Sequence, residues 1–419
     1  MMRLLYALAW LVATPLVLAR LAWRARRQPG YLHRVGERFG RYRERFSGPC
    51  IWIHAVSVGE TRAAVPLVEA LQVRYPRHRI LITHMTPTGR ATSRELLGDR
   101  VQRAWLPYDM GFAVRRFFAH FQPEFGILLE TEIWPRLIEE AARRDIPVVL
   151  ANARLSERSA RRYSWIPALT RRSFANLRGV AAQTEADAAR FRAIGARAPA
   201  VVGNVKFDLT VPPPMVELGT EFRRRFGPAR AVWVAGSTRE GEETLLLDAF
   251  TAAPPTEGAL LVIVPRHPQR FADVASLAQA RGFEVALRTG VEAVPAAVRV
   301  VVGDSMGEML AYYAAADVVI MGGSLLAFGG QNLIEACALG RPVIVGQHTF
   351  NFSEASKSAI AAGAAVRVKD AREAVQMAAA ISADPARRDA MGARGREFVD
   401  AHRGAVARLV EWIGTTVAK

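Results

Sequence analysis

Only two cysteines occur in 419 residues, Cys50 and Cys337, each inside an apolar run and neither in a C-x-x-C spacing. That excludes a disulfide scaffold and a cysteine-ligated zinc site, and it fits buried thiols in a reducing compartment. No G-x-G-x-x-G is present, which argues against a dinucleotide dehydrogenase. Gly236 and Gly241 have P-loop spacing, but Glu242 and Glu243 stand where Lys and Ser/Thr are needed, so an NTPase is excluded as well. No D-x-D, H-x-x-x-H or H-E-x-x-H occurs, and a metal-dependent transferase or hydrolase has no ligand set. Negative charge is scarce too. Asp and Glu number 39 against 56 Lys and Arg, a net charge of +17. That excess predicts an anionic partner: nucleic acid, anionic lipid or a phosphorylated substrate.

What is present belongs to a globular protein, with 51% apolar and 23% charged residues. The length exceeds one ordinary core, so two domains are expected. From Cys50 onward, short apolar strands alternate with stretches of helical spacing, the rhythm of an open α/β sheet. Strands are expected near Ile51–Ala55, Arg79–Thr83, Val101–Leu106, Phe125–Leu129, Pro147–Ala151, Val180–Gln183 and Ala200–Val202. A VPPP run, Val211 to Pro214, reads as a linker. A second series follows at Ala231–Ala235, Ala259–Val264, Glu284–Leu287, Val298–Val302, Asp317–Met321, Pro342–Val345 and Ala364–Val368. The economical architecture is two doubly wound domains facing a cleft. The expected divisions are 1–25, a hydrophobic anchor helix; 26–210, an N-terminal Rossmann-like acceptor domain; 211–385, a C-terminal Rossmann-like nucleotide-sugar domain; and 386–419, a helical segment.

Leu4 to Ala19 is apolar apart from Tyr6, Trp10, Thr14 and Pro15, and at helical rise covers roughly 24 Å, short of a ~30 Å hydrocarbon core. The next stretch carries Arg20, Arg24, Arg26, Arg27, Arg34, Arg38, Arg41, Arg43 and Arg45 against only Glu37 and Glu44. Such a sequence suits a shallow or barely spanning anchor among anionic headgroups, with the following body on the cytoplasmic side. A buried N-terminal helix with a solvated basic face is the alternative.

The richest stretch is Met321 to Phe352, MGGSLLAFGGQNLIEACALGRPVIVGQHTFNF. A strand runs into Gly322 and Gly323; a second pair, Gly329 and Gly330, leads into helical spacing at Gln331 to Leu339, and a strand follows. Glycines at a helix start let a phosphate approach the backbone, and Glu335 one turn on is placed to grip a ribose diol. The plainer reading is a packing turn.

Other polar residues stand at strand ends, where α/β folds bind ligands. Glu60, in HAVSVGE, falls at a helix start as either a general base or a cap, and the helix dipole is expected to keep it ionised at neutral pH. Glu130 and Glu132, in ETEIWP, are expected to part, one reaching the cleft and one bonding backbone N–H groups. Arg154 and Lys206 could meet a substrate anion or be surface cations. Ser237 and Thr238 suit N-caps for a helix beginning near Gly241. Arg266 offers a planar fork for phosphate or carboxylate, beside His267.

GSTREGEE, VPRHPQRF, GDSMGEM, GGSLLAFGGQNLIEA and HTFNF, with HAVSVGE, ETEIWP, NARLSERSARRY and GNVKFD before them, resemble the 3-deoxy-D-manno-octulosonic acid (Kdo) transferases of lipopolysaccharide biosynthesis. The resemblance runs from the N-terminal anchor almost to the C-terminus. It implies a GT-B fold, CMP-Kdo as donor, lipid IVA as acceptor, inversion at the anomeric carbon, and no metal or other cofactor. It also implies the cytoplasmic face of the inner membrane, with anionic lipids as neighbours and no nucleic acid partner. Glu60 matches the family's proposed general base. Ser237, Thr238, Arg266, His267, Gly329, Gly330, Asn332 and Glu335 would bind the donor. Ser57, Glu130, Glu132, Arg154, Lys206 and Gln331 are further substrate-binding candidates, Lys206 toward the Kdo carboxylate. Two departures stand out: Gln331 replaces a frequent His, and Arg136 a frequent Asn. Two other readings account for part of the sequence. One is a GT-B transferase using a UDP-sugar on a membrane lipid. The other is a basic nucleic-acid-binding protein, which leaves the glycines and acids at strand ends unexplained.

Overall fold

The computed structural model describes residues 2–26, 28–43, 48–252 and 258–418, the side chains of residues 2–5, 7–9 and 11 excepted. Arg27, Glu44 and Arg45 of the basic stretch lie outside the described residues. The chain forms two compact units, one comprising Met1–Asp208 and Gly404–Lys419, the other Leu209–Arg403.

The first unit holds seven parallel strands: β1 Cys50–His54, β2 Arg79–His84, β3 Gln102–Trp105, β4 Phe125–Leu129, β5 Val148–Ala153, β6 Gly179–Ala182 and β7 Ala200–Val201. Their order is β3-β2-β1-β4-β5-β6-β7. Strand alternation sends Trp52 into one buried layer and Ile51 and Ile53 into the other, so both faces of the sheet are covered by helices.

The second unit repeats the plan with β8 Val232–Thr238, β9 Leu260–Pro265, β10 Val285–Leu287, β11 Val300–Val302, β12 Val318–Met321, β13 Val343–Val345 and β14 Ala365–Arg367. Here the order is β10-β11-β9-β8-β12-β13-β14, with parallel neighbours again. All fourteen strands read from the sequence are present, with ends shifted by a few residues. Each unit is Rossmann-like.

Two sequence readings change at the boundary between the units and at the C-terminal helices. The VPPP run is not a free linker, because Pro213 and Pro214 open the helix Pro213–Phe226. Proline suits a first helical turn, where its missing N–H has no partner to lose. The 386–419 stretch is helical, but its helices part company: Pro385–Ala401 belongs to the second unit, while Ala405–Val417 returns to the first. There Leu409 and Ile413 bury against the β1–β4–β5 face, and the Asp208 carboxylate accepts the N–H groups of Gly404 and Val406.

The N-terminal helix spans Met2–Ala25. No helix among the described residues is long and apolar enough to cross a membrane. Instead one side packs on the first unit: the Tyr6 hydroxyl donates to Asp109 at 2.7 Å, and Trp10 meets the Tyr108 ring at 5.9 Å. Nor does the whole basic stretch face outward. Arg38 is 1% exposed, stacked over Trp105 at 4.2 Å and donating to the Met85 carbonyl. Its neighbour Glu37 is buried too, accepting from the Trp105 amide and from Arg90.

Candidate active site

In a doubly wound sheet, loops leaving neighbouring strands diverge where the strand order reverses, and a crevice opens at that point. In the first unit this is between β1 and β4, in the second between β8 and β12. The loop after β1 ends at Ser57 and leads into a helix whose first turn holds Glu60, and the loop after β4 carries Glu130 and Glu132. Ser237 and Thr238 end β8, and Gly322 and Gly323 follow β12. Of the strand-end residues picked from sequence, Ser57, Glu60, Glu130, Glu132, Ser237 and Thr238 thus stand at the two switch points, whereas Arg154, Lys206, Arg266 and His267 follow β5, β7 and β9. Three of them or their neighbours hold a left-handed backbone without being glycine: Glu130 (φ 59), Asn152 (φ 50) and Ser237 (φ 56). Strain of that kind gathers where a site dictates side-chain direction.

In the first unit, Ser57 caps the helix Val58–Arg74 and accepts from the Glu60 amide at 3.3 Å. Glu60 answers by accepting from the Val56 N–H and the Ser57 hydroxyl, both at 2.8 Å. This is a variant of the S-x-x-E capping box in which the acid bonds the N–H one residue ahead of the cap, so the capping role is present in the geometry. It does not keep the acid ionised as expected from the helix dipole. Burial, followed by repulsion from Glu130, pushes Glu60 up to about 7. Desolvation of the charged form outweighs the two hydrogen bonds and the dipole.

Glu130 and Glu132 do part, but both take side-chain partners in place of the backbone N–H groups expected for one of them. Glu130 meets Lys206 Nζ at 2.7 Å. Burial alone would raise Glu130; the Lys206 charge and hydrogen bond, with Arg154 nearby, bring it below the ordinary carboxylate value. Lys206 is therefore committed to an acid of its own unit, and Arg154 contributes to the same field. Glu132 accepts from the Trp134 indole at 3.1 Å, and burial raises it. His54 ends β1 fully buried, and burial holds its imidazole down to about 3, so it stays neutral.

The second unit corrects the reading of the glycine motif. The helix expected from Gln331 is only Ile334–Ala338. A Cβ on Gly322 would lie 2.4 Å from the Ser237 carbonyl oxygen, so this glycine lets the β8 and β12 loops touch. Gly330 needs its left-handed φ of 76, and its N–H is already given to the Gly323 carbonyl at 2.7 Å. Three further amides of that loop are taken by a residue read from sequence only as hostile to phosphate. Glu242 accepts from the N–H groups of Gly323 (2.6 Å), Leu325 (3.0 Å), Leu326 (3.4 Å) and Arg239 (2.9 Å). A carboxylate of the chain itself fills the nest and ties the two crevice loops together. Thr238 is not an N-cap either: buried, it donates to Glu243 at 2.8 Å, and Glu243 in turn takes Arg270.

Cations line what remains. Arg239, unremarked in the sequence, stacks on Phe328 at 4.8 Å and meets His267 Nε2 at 3.2 Å. Burial, then Arg239, Arg266 and Arg270, lower the His267 imidazole and keep it neutral. Glu335 binds the Asn332 amide at 3.0 Å. Together with Arg266 it acts electrostatically on the buried Tyr313 hydroxyl, which packs beneath Gly236. Arg266, Asn332, Glu335 and the β8 end are thereby brought into one locality, while Gln331 lies against Gly323. The arrangement offers guanidinium forks for a phosphate and a carboxylate for a hydroxyl-bearing group.

Residues 33–209 match the family model for 3-deoxy-D-manno-octulosonic-acid transferase, and residues 287–398 match glycosyl transferases group 1. A 3-deoxy-D-manno-octulosonic acid transferase of Bordetella pertussis is 44% identical, over 98% of this chain and 99% of that protein. The transferase of the same name from Haemophilus influenzae is 36% identical, over 98% of each. Among solved structures, Anabaena HepE in complex with UDP is similar in fold, with a TM-score of 0.61 at 14% identity over 88% of this chain and all of that one. UDP-GlcNAc 2-epimerase from Neisseria meningitidis gives 0.57 at 15% identity, over 87% of this chain and all of that one.

Proposed function

The chain belongs to the 3-deoxy-D-manno-octulosonic acid transferase family, and on that premise we propose that it moves Kdo from CMP-Kdo to lipid IVA. The transfer inverts the anomeric carbon and takes place at the cytoplasmic face of the inner membrane. The observation that carries the reading is Glu60, a carboxyl group at a switch-point crevice whose burial brings its proton affinity to about 7. A general base works best with a pKa near the operating pH.

In the proposed step the acceptor's primary hydroxyl oxygen bonds to the anomeric carbon and its proton passes to Glu60. The bond from that carbon to the phosphate oxygen breaks, and CMP leaves with the electron pair. The Val56 N–H and the Ser57 hydroxyl fix both Glu60 oxygens in direction. Charge growing on the departing phosphate is assigned to Arg239 and Arg266, with neutral His267 as a hydrogen-bonding neighbour. The Gly330 amide is engaged inside its own loop, so the guanidinium groups take the part first expected of glycine N–H groups. Glu335, oriented by Asn332, is the proposed partner of the ribose diol. Lys206 acts through Glu130 as a positioning residue for the acids of the first unit.

The N-terminal helix is assigned to the membrane surface, where its packed side leaves Val12 and Leu16 outward. Incubation with CMP-Kdo and lipid IVA, read by product mass, tests the reaction. A mass increase of one or more Kdo units is expected, with inhibition by CMP and not by UDP. No mass change, or inhibition by UDP alone, overturns it.

A further inference from the structure

Two short helices of the first unit, Glu157–Tyr163 and Pro167–Ala175, are joined by a tip that no core covers. Proline opens the second helix and bars helical backbone at the residue before it, so the chain must turn outward at Trp165 and Ile166. Trp165 is 80% exposed and Ile166 51%. Single exposed apolar residues are ordinary. An adjacent indole and branched aliphatic at a proline-fixed tip are not, since together they leave a large apolar area in water. Around them Arg158, Arg161, Arg162, Arg171 and Arg172 are all exposed. The acid within that span is Glu157, itself exposed and paired with Arg161.

The tip does not stand alone. A cavity of about 130 Å³ is walled by Ala168, Leu169 and Arg172 of the second helix, by Pro135 and Arg136, and by Tyr6 of the N-terminal helix. The N-terminal helix and the tip's helix are therefore neighbours across one small pocket. On the N-terminal helix Val12 and Leu16, one turn apart, are exposed as well. Arg136 and Arg172 both grip Glu139, at 3.1 and 2.7 Å, leaving the pocket wall with more positive than negative charge.

We propose that the Trp165–Ile166 tip is a second bilayer contact of this chain, seating its apolar pair at the interface of an anionic membrane while the surrounding arginines meet lipid phosphates. Indole and branched aliphatic side chains favour the boundary between headgroup and acyl chain, and clustered arginines favour anionic headgroups. A single-stranded nucleic acid would also be drawn to the charge, but it binds on successive aromatic platforms, and this tip offers one ring and an aliphatic side chain. The inference deepens the membrane placement proposed above and rests on it; it requires neither the donor nor the acceptor named there.

Cosedimentation of the full chain with vesicles tests it. One set is phosphatidylethanolamine with about a third phosphatidylglycerol, the other neutral phosphatidylcholine. The Trp165→Ser/Ile166→Ser protein should bind the anionic vesicles about tenfold or more weakly, and Arg161→Gln/Arg162→Gln should lose about fivefold per arginine on those vesicles alone. Both pairs are exposed, so unfolding temperatures should match the parent. Parent-like vesicle binding by the Trp–Ile variant overturns the proposal, leaving the N-terminal helix as sole contact. So does binding to a labelled single-stranded oligonucleotide that exceeds vesicle binding and survives the Trp–Ile change. Because the readout is sedimentation, failure here leaves the transfer reaction standing, and an inactive chain can still pass.

Discussion

Glu130 and Lys206, 76 residues apart in the chain, meet at 2.7 Å at the crevice end of the first sheet. The contact joins the loop after β4 to the turn after β7 and keeps a negative charge close to Glu60. Without the lysine, burial would drive Glu130 toward its neutral form, and the electrostatic environment of Glu60 would change with it.

Lys206→Met should therefore destabilise the protein by about 3 kcal/mol, since it strands a buried carboxylate. Pairing it with Glu130→Gln should recover a large part of that loss. Urea denaturation of the four proteins in a double-mutant cycle measures the coupling. Independent, additive losses would show that the ion pair carries no energy of its own.

Glu60 must be ionised to accept a proton, and its affinity lies at about 7. Activity should thus fall as pH drops below that value, with kcat/KM losing about tenfold per unit on the acid side. Glu60→Gln should lower kcat by about a hundredfold or more while CMP still binds. Initial rates between pH 5 and 9, beside calorimetric titration with CMP, check both points. A rate profile flat through neutrality removes Glu60 from the role of base.

The same shift has a stability consequence of opposite sense to an ordinary salt-bridged acid. The folded value of about 7 lies above the ordinary glutamate value of 4.5. Between the two, the folded chain holds a proton that the unfolded chain has released. Stability from this group is intact below the lower value and declines as pH rises, by at most about 1.4 kcal/mol per unit, until the carboxyl ionises. Glu60→Gln removes the penalty, so the variant should gain on the parent in urea midpoint at pH 8 and lose that advantage at pH 5.

Glu242 accepts four backbone N–H groups from two loops. Glu242→Ala should cost about 3 kcal/mol or more, because the orphaned donors are buried and find no substitute. It should also weaken CMP binding about tenfold, since the β12 loop loses its tie to the β8 end. Denaturation and calorimetry measure the two effects; normal CMP affinity would mean that the loop takes no part in holding the donor.

Arg239→Gln and Arg266→Gln should each weaken CMP binding about tenfold and leave the much weaker binding of cytidine unchanged, since a guanidinium fork recognises the phosphate. Equal losses for CMP and cytidine would assign the arginines to the base or ribose instead.

Much of this was legible in the chain before folding. Apolar runs of four to seven residues, spaced by helical stretches, placed all fourteen strands, and some of the polar residues at their ends, Glu60 and Glu130 among them, stand at the switch points. Misreadings came where local pattern competes with a distant partner. Glu242 looks like an obstacle to phosphate because its donors, the amides of Gly323, Leu325 and Leu326, are some eighty residues away. Arg38 reads as a headgroup contact until Trp105 and Met85 enclose it.

From the order of residues alone came the two parallel sheets, the strand-end acids and the place of Glu60 at a helix start. Each of these depends on periodicity or on neighbours within a turn. Folding decided which charges are paired, which amides are spent internally, and how far Glu60 rises. Those depend on desolvation and on contacts between segments far apart, and no local pattern encodes the distance between them.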